Sequence, residues 1–299
     1  MLRGLVLIGL AAVSWGTTGS VTTILIARSD AEPLLIGAAR MWVAALVLVA
    51  GATAVGAGPT RTARVLPHCL AMGACMALYQ AAYFSAVAMT GIAVTALIAI
   101  CSAPLMIALL AAALLGERLT RRTGAALALG VIGTALLIAT PSTMTGSASR
   151  FLIGIALALA AGLSYAVYVV IAKAAVARAD SLAVTAVTFS VAAVLTLPFL
   201  VWTHAPLAQA ARSWPWLLYL GAIATAGAYA LYTLGLRHVP ASVAGVVTLL
   251  EPLTATLLGV WVFSERLGAA GLVGALLLFA AIWLTLPRVA ARGVGAAPI

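Results

Sequence analysis

An apolar segment from Ala241 to Leu267 is long enough to cross a bilayer and carries a Glu-Pro pair at its centre. A carboxylate at the bilayer midplane costs roughly 2.5–3.5 kcal/mol on insertion scales, so Glu251 needs protein or water around it. Pro252 cannot donate a hydrogen bond to the carbonyl of Thr248, four residues earlier. The segment therefore predicts a kinked transmembrane helix with a carboxylate and a freed carbonyl at the same depth.

A second copy of this segment occurs 148 residues earlier, from Ala93 to Leu119. The two copies align without a gap and place Pro104 on Pro252 and Glu117 on Glu265. A second similarity, at an offset of 150 residues, relates the beginnings of the two halves of the chain. Together these two sequence similarities predict an internal duplication. The two glutamates at the segment ends predict local ion pairs or helix-end anchors.

The composition indicates a polytopic helical membrane protein. The chain is 65% hydrophobic and 7% charged, with a mean hydropathy of +1.21 over 299 residues. Repeated apolar stretches of about 20 residues are typical of membrane spans. The net charge of +10 does not indicate a nucleic-acid partner, because the basic residues lie singly or in pairs at span ends. The cysteines and histidines show no metal-ligand spacing, so we predict neither a metal nor a cofactor.

The hydropathy pattern predicts an all-α fold with ten transmembrane helices, named spans 1 to 10. They cover roughly residues 4–27, 33–55, 66–89, 92–115, 121–140, 151–175, 181–203, 214–237, 240–263 and 268–287. The polar connector at residues 141–150 separates a first five-helix repeat, 1–145, from a second, 146–299. Because each repeat has an odd number of spans, the second repeat enters the membrane from the side opposite to the first. Such inverted repeats place a substrate site near the midplane where the halves meet.

The distribution of Lys and Arg predicts the orientation. Eleven of these residues fall on the side of the N-terminus and four on the other, so both termini are predicted to be cytoplasmic. Spans 5 and 10 are nearly free of polar groups but contain several glycines. They are predicted to be peripheral, either exposed to lipid or forming a homodimer contact, so that a monomer and a homodimer both stay open.

Polar and aromatic residues at the centres of spans 1, 3, 4, 6, 8 and 9 predict a cavity that binds a small-molecule substrate. At this depth the aromatic residues lie too far from the interface to form an interfacial belt. Single serines and threonines often bond to their own helix, and that alternative remains open for each of them. The candidate substrate-binding residues are Trp15, Thr18, Tyr79, Gln80, Tyr83, Ser102, Ser164, Tyr168, Tyr229, Thr248 and Glu251, and the candidate hinges are Pro104 and Pro252.

Two ionisable residues inside the spans have open roles. Glu251 is a protonatable coupling site, a contact for a substrate ammonium group, or a neutral acid bonded to a nearby Tyr or Thr. Arg40 lies about two turns into span 2 and either snorkels to the outer surface or contacts the substrate or a helix end.

Ten spans as two inverted fives, with P-x(12)-E-R-L closing spans 4 and 9, resemble the EamA family of the drug/metabolite transporter (DMT) superfamily. The resemblance covers essentially the whole chain. It implies a multi-pass protein of the bacterial inner membrane that exports amino acids or related metabolites, and some members pass toxic organic cations. The aromatic centre, with Trp15, Tyr79, Tyr83, Tyr165 and Tyr168, is similar to that of YddG-type amino-acid exporters.

Our hypothesis is a secondary transporter that exports amino acids, including large or aromatic ones, by alternating access. The first alternative is an exporter of lipophilic organic cations, for which a midplane carboxylate and aromatic rings are a recognition pair. The second is an intramembrane lipid-modifying enzyme. It is disfavoured because only Arg40 and Glu251 are ionisable at depth, and we predict no catalytic residue. No nucleotide-binding G-x(4)-G-K-[ST] motif is present.

Overall fold

The computed structural model describes residues 1–29, 31–57, 63–138, 148–201, 203–262 and 268–286, without the side chains of residues 92 and 93. In these ranges every regular element is helical. The elements are α1 (Leu2–Ser29), α2 (Pro33–Ala54), α3 (Leu66–Thr90), α4 (Ile92–Leu115), α5 (Arg121–Ile138), α6 (Ala148–Val176), α7 (Ser181–Leu195), α8 (Leu197–Val201), α9 (Pro206–Leu218), a π-helix (Tyr219–Gly227), α10 (Ala228–Leu236), α11 (Ala241–Val247), α12 (Leu250–Val262) and α13 (Ala269–Thr285).

These helices account for the predicted spans. Span 7 consists of α7 and α8, span 8 of α9, the π-helix and α10, and span 9 of α11 and α12. Within the described ranges, eight spans are long and apolar enough to cross a membrane, and spans 5 and 10 are the shortest, with 18 and 17 residues in α5 and α13. The prediction of an all-helical polytopic membrane protein is confirmed. The second copy of the Glu-Arg-Leu motif, residues 265–267, lies outside the described residues.

The packing divides the molecule into two four-span bundles, each built from both halves of the chain. The first bundle contains spans 1, 2, 8 and 9, and the second contains spans 3, 4, 6 and 7. The bundles meet mainly where span 2 packs on span 7 and span 4 on span 9, while spans 5 and 10 pack on each other. Exchanging the halves of the chain converts one bundle into the other. This is the arrangement that an inverted repeat requires.

Close helix crossings repeat with the same spacing as the sequence. A Cβ atom on Gly73 of span 3 would overlap Val191 of span 7, and one on Gly221 of span 8 would overlap Val43 of span 2. Both partners of the first crossing lie 148 residues from their equivalents in the second. The crossings therefore occupy equivalent positions of the two repeats.

The glycines of spans 5 and 10 bring these two helices together within the chain. A Cβ atom on Gly133 would lie 2.7 Å from the carbonyl oxygen of Gly274, and one on Gly274 would lie 2.6 Å from that of Gly133. These glycines are thus occupied by an internal contact. A homodimer through spans 5 and 10 stays a prediction and would have to use other faces of the two helices.

The two bundles are joined by polar contacts at the end of the molecule where span 1 begins, which we call the closed end. Glu117, just after α4, accepts hydrogen bonds from the backbone N–H groups of Ala241 and Ser242 at 2.6 and 3.1 Å and from the Ser242 hydroxyl at 2.7 Å. Because the first N–H groups of a helix have no partner within it, the carboxylate caps α11. Glu117 is therefore an anchor for a helix of the other half.

Two further contacts cross between the bundles at the closed end. Lys173 of span 6 donates to the carbonyl oxygens of Leu236 and Val239 at 2.7 Å each, at the end of span 8. The hydroxyl oxygens of Thr185 and Thr233 lie 2.8 Å apart between spans 7 and 8. The largest buried apolar cluster also lies in this part of the molecule. The closed end is thus sealed by both packing and hydrogen bonds.

Candidate functional site

A continuous cluster of aromatic rings lies where the two bundles meet. Trp15 of the first bundle contacts Tyr165 of the second edge-on, with centroids 6.3 Å apart. Trp15 also packs on Tyr229 at 4.8 Å, and Tyr165 lies 6.2 Å from Tyr79. The cluster comprises Trp15, Tyr79, Tyr83, Phe84, Tyr165, Tyr168, Phe189, Tyr229 and Tyr232.

The cluster has a buried part and an accessible part. Tyr168 and Tyr232 are 0% exposed, and Trp15 has an indole N–H without a hydrogen-bond partner among the described residues. Tyr79 and Tyr83 are half-buried, and they stack one helical turn apart with centroids at 5.7 Å. These two rings therefore form the wall that a bound molecule can touch, and the deeper rings support it.

Span 9 is broken just before its central carboxylate. The Thr248 hydroxyl donates to the carbonyl of Gly245 at 2.8 Å, and the backbone N–H of Glu251 donates to the carbonyl of Thr248 at 2.9 Å. The prediction that the Thr248 carbonyl lacks a donor is therefore wrong. A tighter turn, with a hydrogen bond between residues three apart, supplies the backbone N–H of Glu251 as the donor. Pro252 lies in the first turn of α12, where a missing N–H leaves no bond unmade.

Glu251 is half-buried in the first turn of α12, where the helix dipole favours a negative charge. Its backbone packs closely on span 1, since a Cβ atom on Gly16 would lie 2.7 Å from the Glu251 carbonyl oxygen. The carboxylate interacts electrostatically with Tyr79, Tyr83 and Arg40 and has no hydrogen-bond partner among the described residues. It is thus available to a ligand.

Arg40 does not snorkel along the surface of span 2. Its Nε donates to the hydroxyl of Thr225 at 3.1 Å, in the π-helix of span 8. The Thr225 hydroxyl in turn donates to the carbonyl of Leu220 at 2.7 Å, five residues earlier. π-helical turns are rare in proteins, and those that occur are often found at functional sites. Here the π-helix holds a threonine that fixes the guanidinium inside the protein.

Two of the predicted serines bond to helix backbones. Ser102 donates to the carbonyl of Ala99 in its own helix at 3.3 Å, and Ser164 donates to that of Cys75 in span 3 at 3.0 Å. Ser102 also lies against Gly162, so both side chains stand where span 6 crosses the spans beside it. The structure thus places them in helix packing within the second bundle.

The remaining candidates differ in accessibility. Gln80 is 3% exposed, and the half-buried Thr18 has a buried hydroxyl with no hydrogen-bond partner among the described residues. Pro104 lies inside the unbroken α4, whereas its equivalent Pro252 follows a break. The two predicted hinges therefore have different local structures, although they occupy equivalent positions of the repeat.

The structure brings six further residues to the site that the candidate set omitted. Tyr165 is the repeat equivalent of Trp15, and Tyr232 lies three residues after Tyr229, so both carried a sequence signal. Phe189 resembles any apolar residue of span 7, and the pairing of spans 2 and 8 that joins Arg40 to Thr225 has no local signature. The omitted residues are Arg40, Phe84, Tyr165, Phe189, Thr225 and Tyr232.

The chain is similar to transporters of bacteria and archaea. A model of the EamA-like transporter family matches residues 2–139 and 152–286. The chain is 36% identical over 273 residues to YwfM, an uncharacterized transporter of Bacillus subtilis, covering 90% of this chain and 88% of the relative. It is 30% identical over 205 residues to an uncharacterized transporter of Archaeoglobus fulgidus, covering 69% and 71%. A crystal structure that is 24% identical shares the fold, with a TM-score of 0.78 and coverage of 94% and 96%.

Proposed function

Because the chain belongs to the EamA-like transporter family and is a membrane transporter, we propose that it exports amino acids, including large or aromatic ones, across the bacterial inner membrane. The observation that carries this proposal is the site itself. A half-buried carboxylate interacts electrostatically with two stacked aromatic rings, and the cluster of these rings joins the two repeat-related bundles. This combination suits a substrate with an ammonium group and an apolar side chain.

The two bundles supply a mechanism of alternating access. In a secondary transporter of inverted repeats, one unit rocks against the other around a fixed central site. Here the bundles would rock about the contacts of span 2 with span 7 and span 4 with span 9. The closed end is the end that charge distribution predicts to be cytoplasmic. The described state would then be the one in which an exported substrate leaves the site on the opposite side.

Recognition of the substrate divides between the bundles. Tyr79 and Tyr83 of the second bundle offer ring faces to a side chain, and such aromatic contacts contribute about 0.5–1.5 kcal/mol beyond burial. Glu251 of the first bundle accepts hydrogen bonds from the ammonium group. A substrate that contacts both bundles changes the free energy of their relative motion, which is the requirement for coupling binding to transport.

A lipophilic cation would also suit a carboxylate beside aromatic rings. The guanidinium of Arg40 counts against this occupant, because it acts electrostatically on the same rings and on Glu251. A second positive charge at the site would be repelled. A zwitterion has no such penalty.

The test is counterflow in proteoliposomes containing the purified protein, with radiolabelled phenylalanine or tryptophan. The competitors are the other amino acids and one lipophilic cation. We expect saturable flux that unlabelled amino acids suppress, large ones most strongly. Flux of the cation without flux of any amino acid would instead assign the protein to drug export, and Glu251→Gln should then abolish it.

A further inference from the structure

We propose that Arg40, held by Thr225, binds the carboxylate of the substrate while Glu251 binds its ammonium group, so that the site selects zwitterions. This inference rests on the proposed function and adds the residue that recognises the acidic end of the substrate. It assigns a role to a charged side chain whose equivalent residue in the other repeat is uncharged.

The geometry of Arg40 leaves its terminal nitrogens for a ligand. Its Nε is engaged by Thr225 at 3.1 Å, while Nη1 and Nη2 form no hydrogen bond to the described residues. The side chain is half-buried and interacts electrostatically with Tyr79, Tyr83 and Tyr229. The two terminal N–H groups of a guanidinium match the two oxygens of a carboxylate. Fixing Nε by Thr225 orients that pair in advance.

The charged groups depart from the symmetry of the scaffold. Close crossings of spans 2 with 8 and 3 with 7 repeat at the offset of 148 residues, so the fold treats these positions as equivalent. The polar groups of the site do not repeat, because each has a smaller or apolar residue as its equivalent. The equivalent pairs are Arg40 with Thr188, Thr225 with Ala77 and Glu251 with Ala103. The scaffold thus forms without these groups in one half, which indicates that the other half holds them for a ligand.

The charge balance of the site favours a zwitterion. A charge inside a membrane span needs a partner, and the half-buried side chains of Arg40 and Glu251 interact electrostatically without a hydrogen bond between them. Both belong to the first bundle, whereas Tyr79 and Tyr83 belong to the second. A bound amino acid would place one charged group on each of the two ionisable side chains. Its side chain would then point toward the aromatic wall.

The experiment compares three probes in the purified transporter: phenylalanine, phenethylamine, which lacks the carboxylate, and hydrocinnamate, which lacks the ammonium group. Affinity and flux are measured for the wild-type protein, Arg40→Gln, Arg40→Lys and Thr225→Val. Arg28→Gln is the matched control, since Arg28 stacks on Trp216 at 5.8 Å, away from the site. Size-exclusion profiles and thermal midpoints confirm that each variant folds.

We expect Arg40→Gln to weaken phenylalanine and hydrocinnamate by about 10- to 100-fold, as for a lost charge-assisted bond. Phenethylamine should bind no more weakly, since the variant removes a positive charge that repels its ammonium group. Arg40→Lys should retain part of the binding, and Thr225→Val should give a smaller loss with the same probe selectivity. Arg28→Gln should change none of the three. An equal loss of affinity for all three probes, or no loss for any of them, in a folded Arg40→Gln protein would overturn the assignment.

The probes also separate this inference from the proposed function. Arg40-dependent flux of hydrocinnamate without flux of any amino acid would reject amino-acid export and retain the carboxylate site. Phenylalanine flux that is indifferent to Arg40 would do the reverse. Binding of phenethylamine alone, or of no probe, by the wild-type protein would reject both.

Discussion

Tyr79 and Tyr83 are the residues of the site whose contribution can be isolated most directly. Their rings stack at 5.7 Å and are accessible, so truncation removes a contact surface without opening a deeply buried cavity. We expect Tyr79→Ala and Tyr83→Ala each to weaken phenylalanine by about 2- to 10-fold, from the loss of one aromatic contact. Competition counterflow measures this change.

The controls for this prediction are a second substrate and a conservative variant. Alanine, whose methyl group does not reach an aromatic wall, should be unaffected, and Tyr79→Phe should keep most of the affinity for phenylalanine. Equal losses for phenylalanine and alanine would mean that the two tyrosines support the fold and do not recognise the side chain.

Gly16 and Gly19 offer a matched pair on one face of span 1. A Cβ atom on Gly16 would lie 2.5 Å from Thr254 Cβ and 2.7 Å from the Glu251 carbonyl, whereas one on Gly19 would meet no atom within 4 Å. We therefore expect Gly16→Ala to push span 1 from α12, lowering the thermal midpoint and the rate of flux. Gly19→Ala should leave the midpoint unchanged or slightly raised, because alanine favours a helix by about 1 kcal/mol. Similar midpoints for the two variants would contradict this packing.

At the scale of single residues, the sequence identifies chemistry better than partners. Aromatic residues four positions apart in the middle of a span, such as Tyr79 and Tyr83, could be predicted as part of the site because tyrosines of membrane proteins usually lie at the membrane–water interface. Ser164 was predicted to line the cavity, yet it bonds to the carbonyl of Cys75 on a neighbouring helix. Which backbone carbonyl lies beside a serine depends on helix packing, and no local pattern encodes it.

At the scale of elements, the cap of α11 by Glu117 is the clearest link between the halves. Its carboxylate accepts three hydrogen bonds from Ala241 and Ser242. We expect Glu117→Gln to lower the free energy of unfolding by about 1–3 kcal/mol, because charge-assisted bonds at a helix start are replaced by weaker ones. Thermal unfolding in detergent measures the effect.

The control for Glu117→Gln is Arg118→Gln. Arg118 is the next residue and is exposed, and its replacement removes a charge of the opposite sign. It should leave the thermal midpoint unchanged. If the two variants were equally destabilised, the loss could not be assigned to the hydrogen bonds that Glu117 accepts. The assignment of Glu117 as a cap of α11 would then fail.

The internal irregularities of the spans were only partly predictable. The Glu-Pro pair of span 9 predicted an interruption at the right place, because proline removes a donor from the preceding turn. It did not predict the outcome at Thr248, whose carbonyl finds a donor in Glu251. The π-helix of span 8 has no comparable marker. It depends on tertiary contacts such as that of Arg40 with Thr225.

At the scale of the whole molecule, the duplication could be predicted and the composition of the bundles could not. The offset of 148 residues between the two copies predicts that the halves are related, and the odd number of spans in each half predicts that they are inverted. Hydropathy does not state which helices pack together. Only the structure shows that each half contributes two spans to one bundle and two to the other, so that neither half closes a bundle alone.

This interleaving predicts that locking the bundles together at the closed end stops transport. The hydroxyl oxygens of Thr185 and Thr233, on opposite bundles, lie 2.8 Å apart, so cysteines at both positions come within reach of a disulfide. In a background where Cys69, Cys75 and Cys101 are replaced by alanine, we expect oxidation of Thr185→Cys/Thr233→Cys to abolish counterflow and reduction to restore it. Each single variant should be insensitive to oxidant. Full flux through the cross-linked protein would mean that this end does not open during the cycle, and that the two bundles do not move against each other as the repeat implies.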